Sequence, residues 1–306
     1  MSADTEKPGP LQESRRAAGE FSTVDSAAWS AATAYLPSIL LDTVGRHPYL
    51  PPTWIDAVEG TLLFADISGF TRMSERLAMV GKEGAELLTS IINRYFDRLL
   101  NIARAQGGDN LKFGGDALLL LFRGTGHASR AIVAALAMQQ ATRRFDSVRI
   151  DKDRIRLQMS VAVHSGAFWS ATAGEPGSRM QYFILGREAG RVAEVEAAAG
   201  AGEVLITAST LHLTDRQPLV EARGDLYHVL RLPGRTETSQ VSQETATPAP
   251  LPARYLLAFL PPPVAQRLQG GASDSAIEGE HRKVSIIFIH LLGVNELLDQ
   301  EGPQAL

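Results

Sequence analysis

Two aspartates stand where carboxylates can do chemistry. Asp66 closes an apolar run in Phe64-Ala65-Asp66-Ile67-Ser68-Gly69-Phe70-Thr71, and Asp116 lies in Leu111-Lys112-Phe113-Gly114-Gly115-Asp116-Ala117-Leu118. Paired carboxylates are hard oxygen donors and suit divalent cations such as Mg2+ or Mn2+, with the backbone carbonyl of Ile67 as a third oxygen. Two such ions, about 3.5–4 Å apart, can activate an attacking hydroxyl and stabilise charge on a leaving phosphate. Ser68-Gly69-Phe70-Thr71 leads into a helix expected from near Arg72, and the free N–H groups of a helix start attract phosphate. Each aspartate alone has an ordinary explanation. Asp66 could cap a helix, and Asp116 could serve a glycine turn. Together with the long helix between them, they point to a nucleoside triphosphate ligand.

The elements that must position these residues follow from hydrophobic spacing. Thr61–Ile67 reads as a short buried strand. Glu83–Gln106 is expected to be helical, because Leu88, Ile91, Ile92, Tyr95, Phe96, Leu99 and Ala103 recur every three or four residues and Gly107-Gly108 provides a stop. Asn110–Phe113 and Ala117–Phe122 flank Gly114-Gly115-Asp116, a hairpin signal. A second helix spans His127–Arg143. Ile155, Leu157, Met159, Val161 and Val163 alternate as in a half-buried strand. Met180–Leu185 is another strand and Gly186–Ala199 a third helix. Val204–Ile206 and Tyr227–Leu230 close the pattern. The order β-α-β-β-α-β-β-α-β fits an α+β domain of the ferredoxin-like, split βαβ kind, an antiparallel sheet with helices on one face. In that sheet the hairpin pairs beside the first strand and carries Asp116 toward Asp66.

This domain is placed at residues 55–235. Residues 1–54 are read as a disordered lead-in plus a short helix over Trp29–Val44. Residues 236–281 are read as a linker, Thr/Ser/Gln/Pro-rich at first and then a broken helix across Pro261-Pro262-Pro263. At 282–306 an internal echo appears. Phe288-Ile289-His290-Leu291-Leu292-Gly293-Val294 matches Phe64–Phe70 in pattern, with His290 in the place of Asp66. The expectation is the start of a truncated second copy of the domain.

Composition narrows the partners. The 306 residues are 44% hydrophobic and 21% charged, with a formal charge of −4 and no cysteine. That balance gives no footprint for nucleic acid, and the lack of thiols excludes disulfides and thiolate metal sites. Arg143, Arg144, Arg149, Lys152, Arg154 and Arg156 alternate with acids and read as solvated surface. No apolar run reaches the roughly 18–20 residues of a membrane span, and the polar N-terminus is not a secretory signal. A cytoplasmic protein with no membrane partner is expected. His164, at the end of an alternating strand, reads as structural. Trp169 is assigned to the sheet or to a dimer face.

FADISGFT followed by LKFGGDALLLLF resembles the class III adenylyl/guanylyl cyclase catalytic domain, and within it the tandem-domain, bicarbonate-stimulated "soluble" type and its bacterial multidomain relatives. The resemblance covers roughly Gly60–Leu232. It implies that Asp66 and Asp116 hold two Mg2+ or Mn2+ ions, that Ser68–Thr71 bind phosphate, and that a ribose 3′-oxygen attacks the α-phosphate of the same nucleotide to release pyrophosphate. It also implies an Asn and, four residues later, an Arg on the helix after MQYFILG. Gly190 and Glu194 occupy those places here, and neither can donate the hydrogen bonds a phosphate needs. A second cyclase-like domain, in this chain or another, is therefore expected to complete the site. Lys112 and Arg191 are candidates for a base or bicarbonate pocket by the same resemblance; the plain alternative for Lys112 is a solvated edge-strand lysine. Two other readings remain: a catalytically inactive relative that binds nucleotide or bicarbonate and regulates an attached module, and a diguanylate cyclase, which GGDAL matches poorly for want of a second acid.

Overall fold

The computed structural model describes residues 23–46, 53–144, 148–150, 153–155, 157–175, 178–233, 253–269, 285 and 292–303. The chain begins with helices α1 (Thr23–Thr33) and α2 (Ser38–Arg46), then strand β1 (Trp54–Ser68). Helices α3 (Phe70–Val80) and α4 (Lys82–Ala105) lead to the hairpin β2 (Gly108–Gly114) and β3 (Ala117–Phe122). Helix α5 (His127–Arg144) and the small strands β4 (Val148–Ile150) and β5 (Asp153–Ile155) precede the long β6 (Gln158–Glu175) and β7 (Arg179–Leu185). Then come α6 (Arg187–Ala198), β8 (Val204–Thr207), α7 (Ala208–His212), β9 (Leu219–Arg223) and β10 (Leu226–Arg231). Helices α8 (Ala253–Leu257), α9 (Pro262–Gln269) and α10 (Val294–Glu301) follow.

Two compact units emerge. The larger comprises Ile55–Ser170, Ile184–Gln243 and Arg282–Leu306. Its strands run in the order β2-β3-β1-β6-β8-β10-β9, with β7 on β6. β1 lies antiparallel to β3, Thr61 opposite Phe122 and Ala65 opposite Leu118. With β3 between β1 and β2 this is the expected split βαβ core. Leu63, Ala65 and Ile67 of β1, Leu118, Leu120 and Phe122 of β3, and Val161 and Val163 of β6 are buried in one cluster with Ile91, Tyr95 and Leu99 of α4 and Ala131, Ala135 and Met138 of α5. Truncating one of these leucines to alanine costs about 2–5 kcal/mol.

Three features depart from the sequence reading. First, the sheet is mixed: β6 and β8 run parallel, Val161 opposite Val204, because α6 carries the chain back between them. Second, helices lie on both faces. Side chains alternate along a strand, so Ser160 and His164 point away from Val161 and Val163, and they bond to Glu196 and Glu188 of α6. Third, β1 starts at Trp54, and β9 lies outside the expected elements; β9 is exposed apart from a half-buried Val220, so it carries little apolar pattern. Helices α3 and α4 meet closely, since a Cβ on Gly84 would stand 1.9 Å from the Leu77 carbonyl oxygen.

The smaller unit comprises Met1–Trp54, Ala171–Phe183 and Glu244–His281. Ala28, Ala32, Leu40, Val44, Trp54, Leu256, Leu257, Leu260 and Leu268 are buried together. Two bonds tie its segments: Met180 N–H to Ala258 O at 2.8 Å and Arg179 Nη1 to Leu260 O at 2.6 Å. This corrects the linker assignment over 253–269. That stretch is two helices, broken at the prolines as expected, that contribute apolar residues to a core. Residues 23–46 are likewise two packed helices rather than one short one. The expected strand over 283–289 and His290 lie outside the described residues.

Candidate active site

β1 delivers Asp66 to the end of a buried strand, and the β2–β3 hairpin delivers Asp116. Gly114 pairs with Ala117, so Gly115 and Asp116 form the turn, with Gly115 at φ 72 as tight hairpins require. Phe113 braces the hairpin by stacking edge-on against Phe96 of α4, centroids 5.3 Å apart. Both aspartates are half-buried. The Asp66 carboxyl is pushed above the usual aspartate range, first by burial and then by the negative charges of Asp116 and Glu196, while the Ile67 N–H bond pulls it down. The two predicted carboxylates are thus brought within electrostatic reach of each other. Among the described residues no Lys or Arg forms an ion pair with either.

That donor set fits a divalent cation. Two carboxylates repel each other with no cation between them, and their oxygens are the ligands Mg2+ or Mn2+ prefers. Among the described residues no third His, Asp or Glu completes a side-chain cluster. Further oxygens would come from the Ile67 carbonyl, from solvent or from a bound phosphate.

The next turn starts a helix. Gly69 adopts φ 92 and ψ −8, a left-handed conformation, so α3 begins at once at Phe70 rather than near Arg72. No side chain caps it and no acid lies in its first turn. Phe70 and Thr71 are therefore the first helical residues, and with Arg72 their N–H groups face the end of β1. α10 starts in the same way, after Gly293 at φ 81 and ψ 0, again without a side-chain cap.

α6 carries the other predicted residues. Gly190 has nothing within 4 Å of where a Cβ would stand. Glu194 is exposed and accepts from Arg191 Nη1 at 2.8 Å, and Arg191 Nη2 also pairs with Asp225. Arg187, at the helix start, pairs with Asp299 of α10 at 2.6 Å. The groove beside Arg191 is lined by His164, Arg187, Glu188, Glu194 and Asp225, and Lys112 does not line it. Lys112 is exposed on β2, at one edge of the sheet. Arg191 lies on α6 and pairs with Asp225 of the β9–β10 turn.

His164 holds to its structural reading. It is 3% exposed, with Nε2 2.8 Å from Glu188 Oε2 and Nδ1 3.0 Å from Thr207 Oγ1. Gly166 leaves the notch for that Glu188, since a Cβ there would come 2.9 Å from Oε2. Trp169 is half-buried and lies against Gly186. Of the basic residues read as solvated, Arg143 is exposed, and the side chains of Arg144, Arg149, Lys152, Arg154 and Arg156 lie outside the described residues. Glu196, a neighbour of Asp66, carried no motif; only the fold brings α6 across that face.

Two carboxylates on a strand end and a hairpin, beside an uncapped helix start, thus stand on a split βαβ sheet. The sequence matches the family described as the adenylate and guanylate cyclase catalytic domain over residues 55–241, and the chain belongs to that family. It is 27% identical over 186 residues to adenylate cyclase type 10 of Oryctolagus cuniculus, covering 60% of this chain and 11% of that protein. It is 41% identical over 92 residues to adenylate cyclase type 10 of Homo sapiens, 29% of this chain and 6% of that one. The chain thus spans about a tenth or less of these relatives. The fold is similar to that of a bacterial light-regulated adenylyl cyclase, with a TM-score of 0.52, 19% identity, 71% of this chain and 64% of the other. Among the described residues no helix is long and apolar enough to cross a membrane.

Proposed function

We propose that this chain supplies the metal-holding half of a nucleotide cyclase that converts ATP, or GTP, to a 3′,5′-cyclic nucleotide and pyrophosphate for intracellular signalling. The observation that carries this reading is the pair Asp66 and Asp116, drawn together without a compensating cation beside an uncapped helix start. Asp66, Asp116 and the Ile67 carbonyl would hold two Mg2+ or Mn2+ ions, which supply Lewis acidity to the attacking oxygen and the phosphates. The Ile67 N–H orients the Asp66 carboxylate. The N–H groups at the start of α3 bind phosphate oxygens and hold the triphosphate against the strand end. Relatives named adenylate cyclase favour ATP, and the working place proposed is the cytoplasm.

The transition-state phosphate also needs donors, and α6 provides none at Gly190 or Glu194. A second cyclase-like domain is proposed to provide them, and the glycine-initiated α10 is proposed to belong to such a copy. The test is cyclic nucleotide production, with Mg2+ or Mn2+, by the full-length protein and by its Asp66→Ala and Asp116→Ala variants. Loss of turnover in both supports the reading. Turnover that survives either substitution overturns the site, and metal-nucleotide binding without turnover in the unaltered protein would favour the regulatory alternative.

A further inference from the structure

A second concavity lies on the α4–α5 face of the sheet, away from the aspartates. It has a volume of about 780 Å3, within the range of small-molecule sites. One wall is α5, where Val133, Leu136, Ala137, Gln140 and Arg143 line it at helical spacing. Ten residues of helix make this trough about 15 Å long. The opposite wall is β10 and the residue after it, with Val229 and Leu232.

The two arginines of the lining stand at one end. β10 runs antiparallel to β8 with His228 opposite Leu205, so the residues after it pass the start of β8, near Gly202. Arg143 reaches the same place, donating to Gly202 O at 3.4 Å. Arg143 and Arg231 thus flank the same mouth, both exposed. Among the described residues neither has a carboxylate partner, and no Asp or Glu lines the trough. Along its middle the buried amide is committed: Gln139 Nε2 donates to Met159 O at 2.5 Å and Glu203 O at 2.9 Å.

These features select among occupants. An added β-strand is excluded at β10, which already pairs with β8 and β9. A long apolar body with a single anionic head matches both the walls and the charged mouth. We propose that this trough binds a linear alkyl carboxylate, its chain along α5 and its carboxylate between Arg143 and Arg231. Each C–C bond of about 1.5 Å advances an extended zigzag by about 1.3 Å, so about a dozen carbons span the trough.

Calorimetric titration with dodecanoate, below its aggregation concentration, tests this on the chain as it stands. The expected result is saturable one-to-one binding, at least about tenfold tighter than dodecyltrimethylammonium, which has the same chain and the opposite head. Arg143→Glu with Arg231→Glu, both at exposed positions, should reverse that preference. Ala137→Trp should fill the trough and abolish binding; if it melts early, Gln140→Trp on the same stripe replaces it. Equal binding of both heads, no saturable binding, or binding unmoved by the tryptophan would each overturn the proposal.

Discussion

The end of the sheet that holds Asp66 and Asp116 and the outer face of α6 treat charge in opposite ways. At the sheet end two carboxylates lie within electrostatic reach of each other, no Lys or Arg among the described residues pairs with either, and Asp66 is held above the usual aspartate range. On α6 both arginines are answered within the chain: Arg191 by Glu194 and Asp225, and Arg187 by Asp299. Uncompensated charge costs folding energy and persists where a ligand supplies the missing partner. Self-neutralised surface charge needs no ligand and contributes little to stability. The first region therefore suits the proposed metal-holding role, and the second is a self-neutralised surface.

Four predictions bear on this contrast. The largest effect is expected at the sheet end, where Asp66→Ala or Asp116→Ala should lower metal-dependent turnover of the full-length protein by at least about a hundredfold, several kcal/mol of transition-state stabilisation; steady-state kinetics reads it. Next, His164→Ala should destabilise the larger unit by about 1–3 kcal/mol, because Thr207 and the packing around it lose a buried partner; urea unfolding measures this. Glu194→Ala should change stability by no more than about 1 kcal/mol, as an exposed ion pair allows. Gly190→Ala should raise stability by about 0.5–1 kcal/mol, since the helix gains a Cβ in open space. If Glu194→Ala proved as costly as the aspartate changes, the contrast would collapse.

Acidity separates the two regions as well. His164 and His127 are both pulled below the ordinary histidine value of 6.5, mainly by burial. The unfolded chain then binds these protons more readily than the folded one. The stability they contribute is present above about pH 6.5 and is lost as the pH falls through and below it. Asp66 has the opposite sign: its raised carboxyl costs stability when ionised, and protonation in acid relieves that cost. Metal affinity should accordingly begin to fall at a higher pH than for an unperturbed aspartate, which a Mn2+ titration across pH would reveal.

Where the sequence was legible, it was because burial imposes a period. The Ile91–Tyr95–Leu99 stripe, the apolar run into Asp66 and the glycine hairpin each carried one unambiguous signal, and the structure places all three as expected. Exposed or composite features left none. β9 buries only part of Val220. The helices of 253–269 bury their apolar residues against α1 and α2, more than two hundred residues away, so the local reading saw only prolines. Lys112 and Arg191 were joined by resemblance alone, with no local pattern relating the two. Glu196 meets Asp66 only because α6 crosses the second face, which an all-one-face arrangement does not allow.

The most direct test of the central claim is calorimetric titration of Mn2+ into this chain and into Asp66→Asn and Asp116→Asn, with a non-hydrolysable ATP analogue present throughout. The asparagines keep size and fold while removing one negative charge each. The account predicts saturable Mn2+ binding by the unaltered chain and at least about a tenfold loss of affinity, roughly 1.4 kcal/mol, in each variant. Unchanged binding in either variant would show that these two carboxylates do not hold the metal, and would contradict the account at its root.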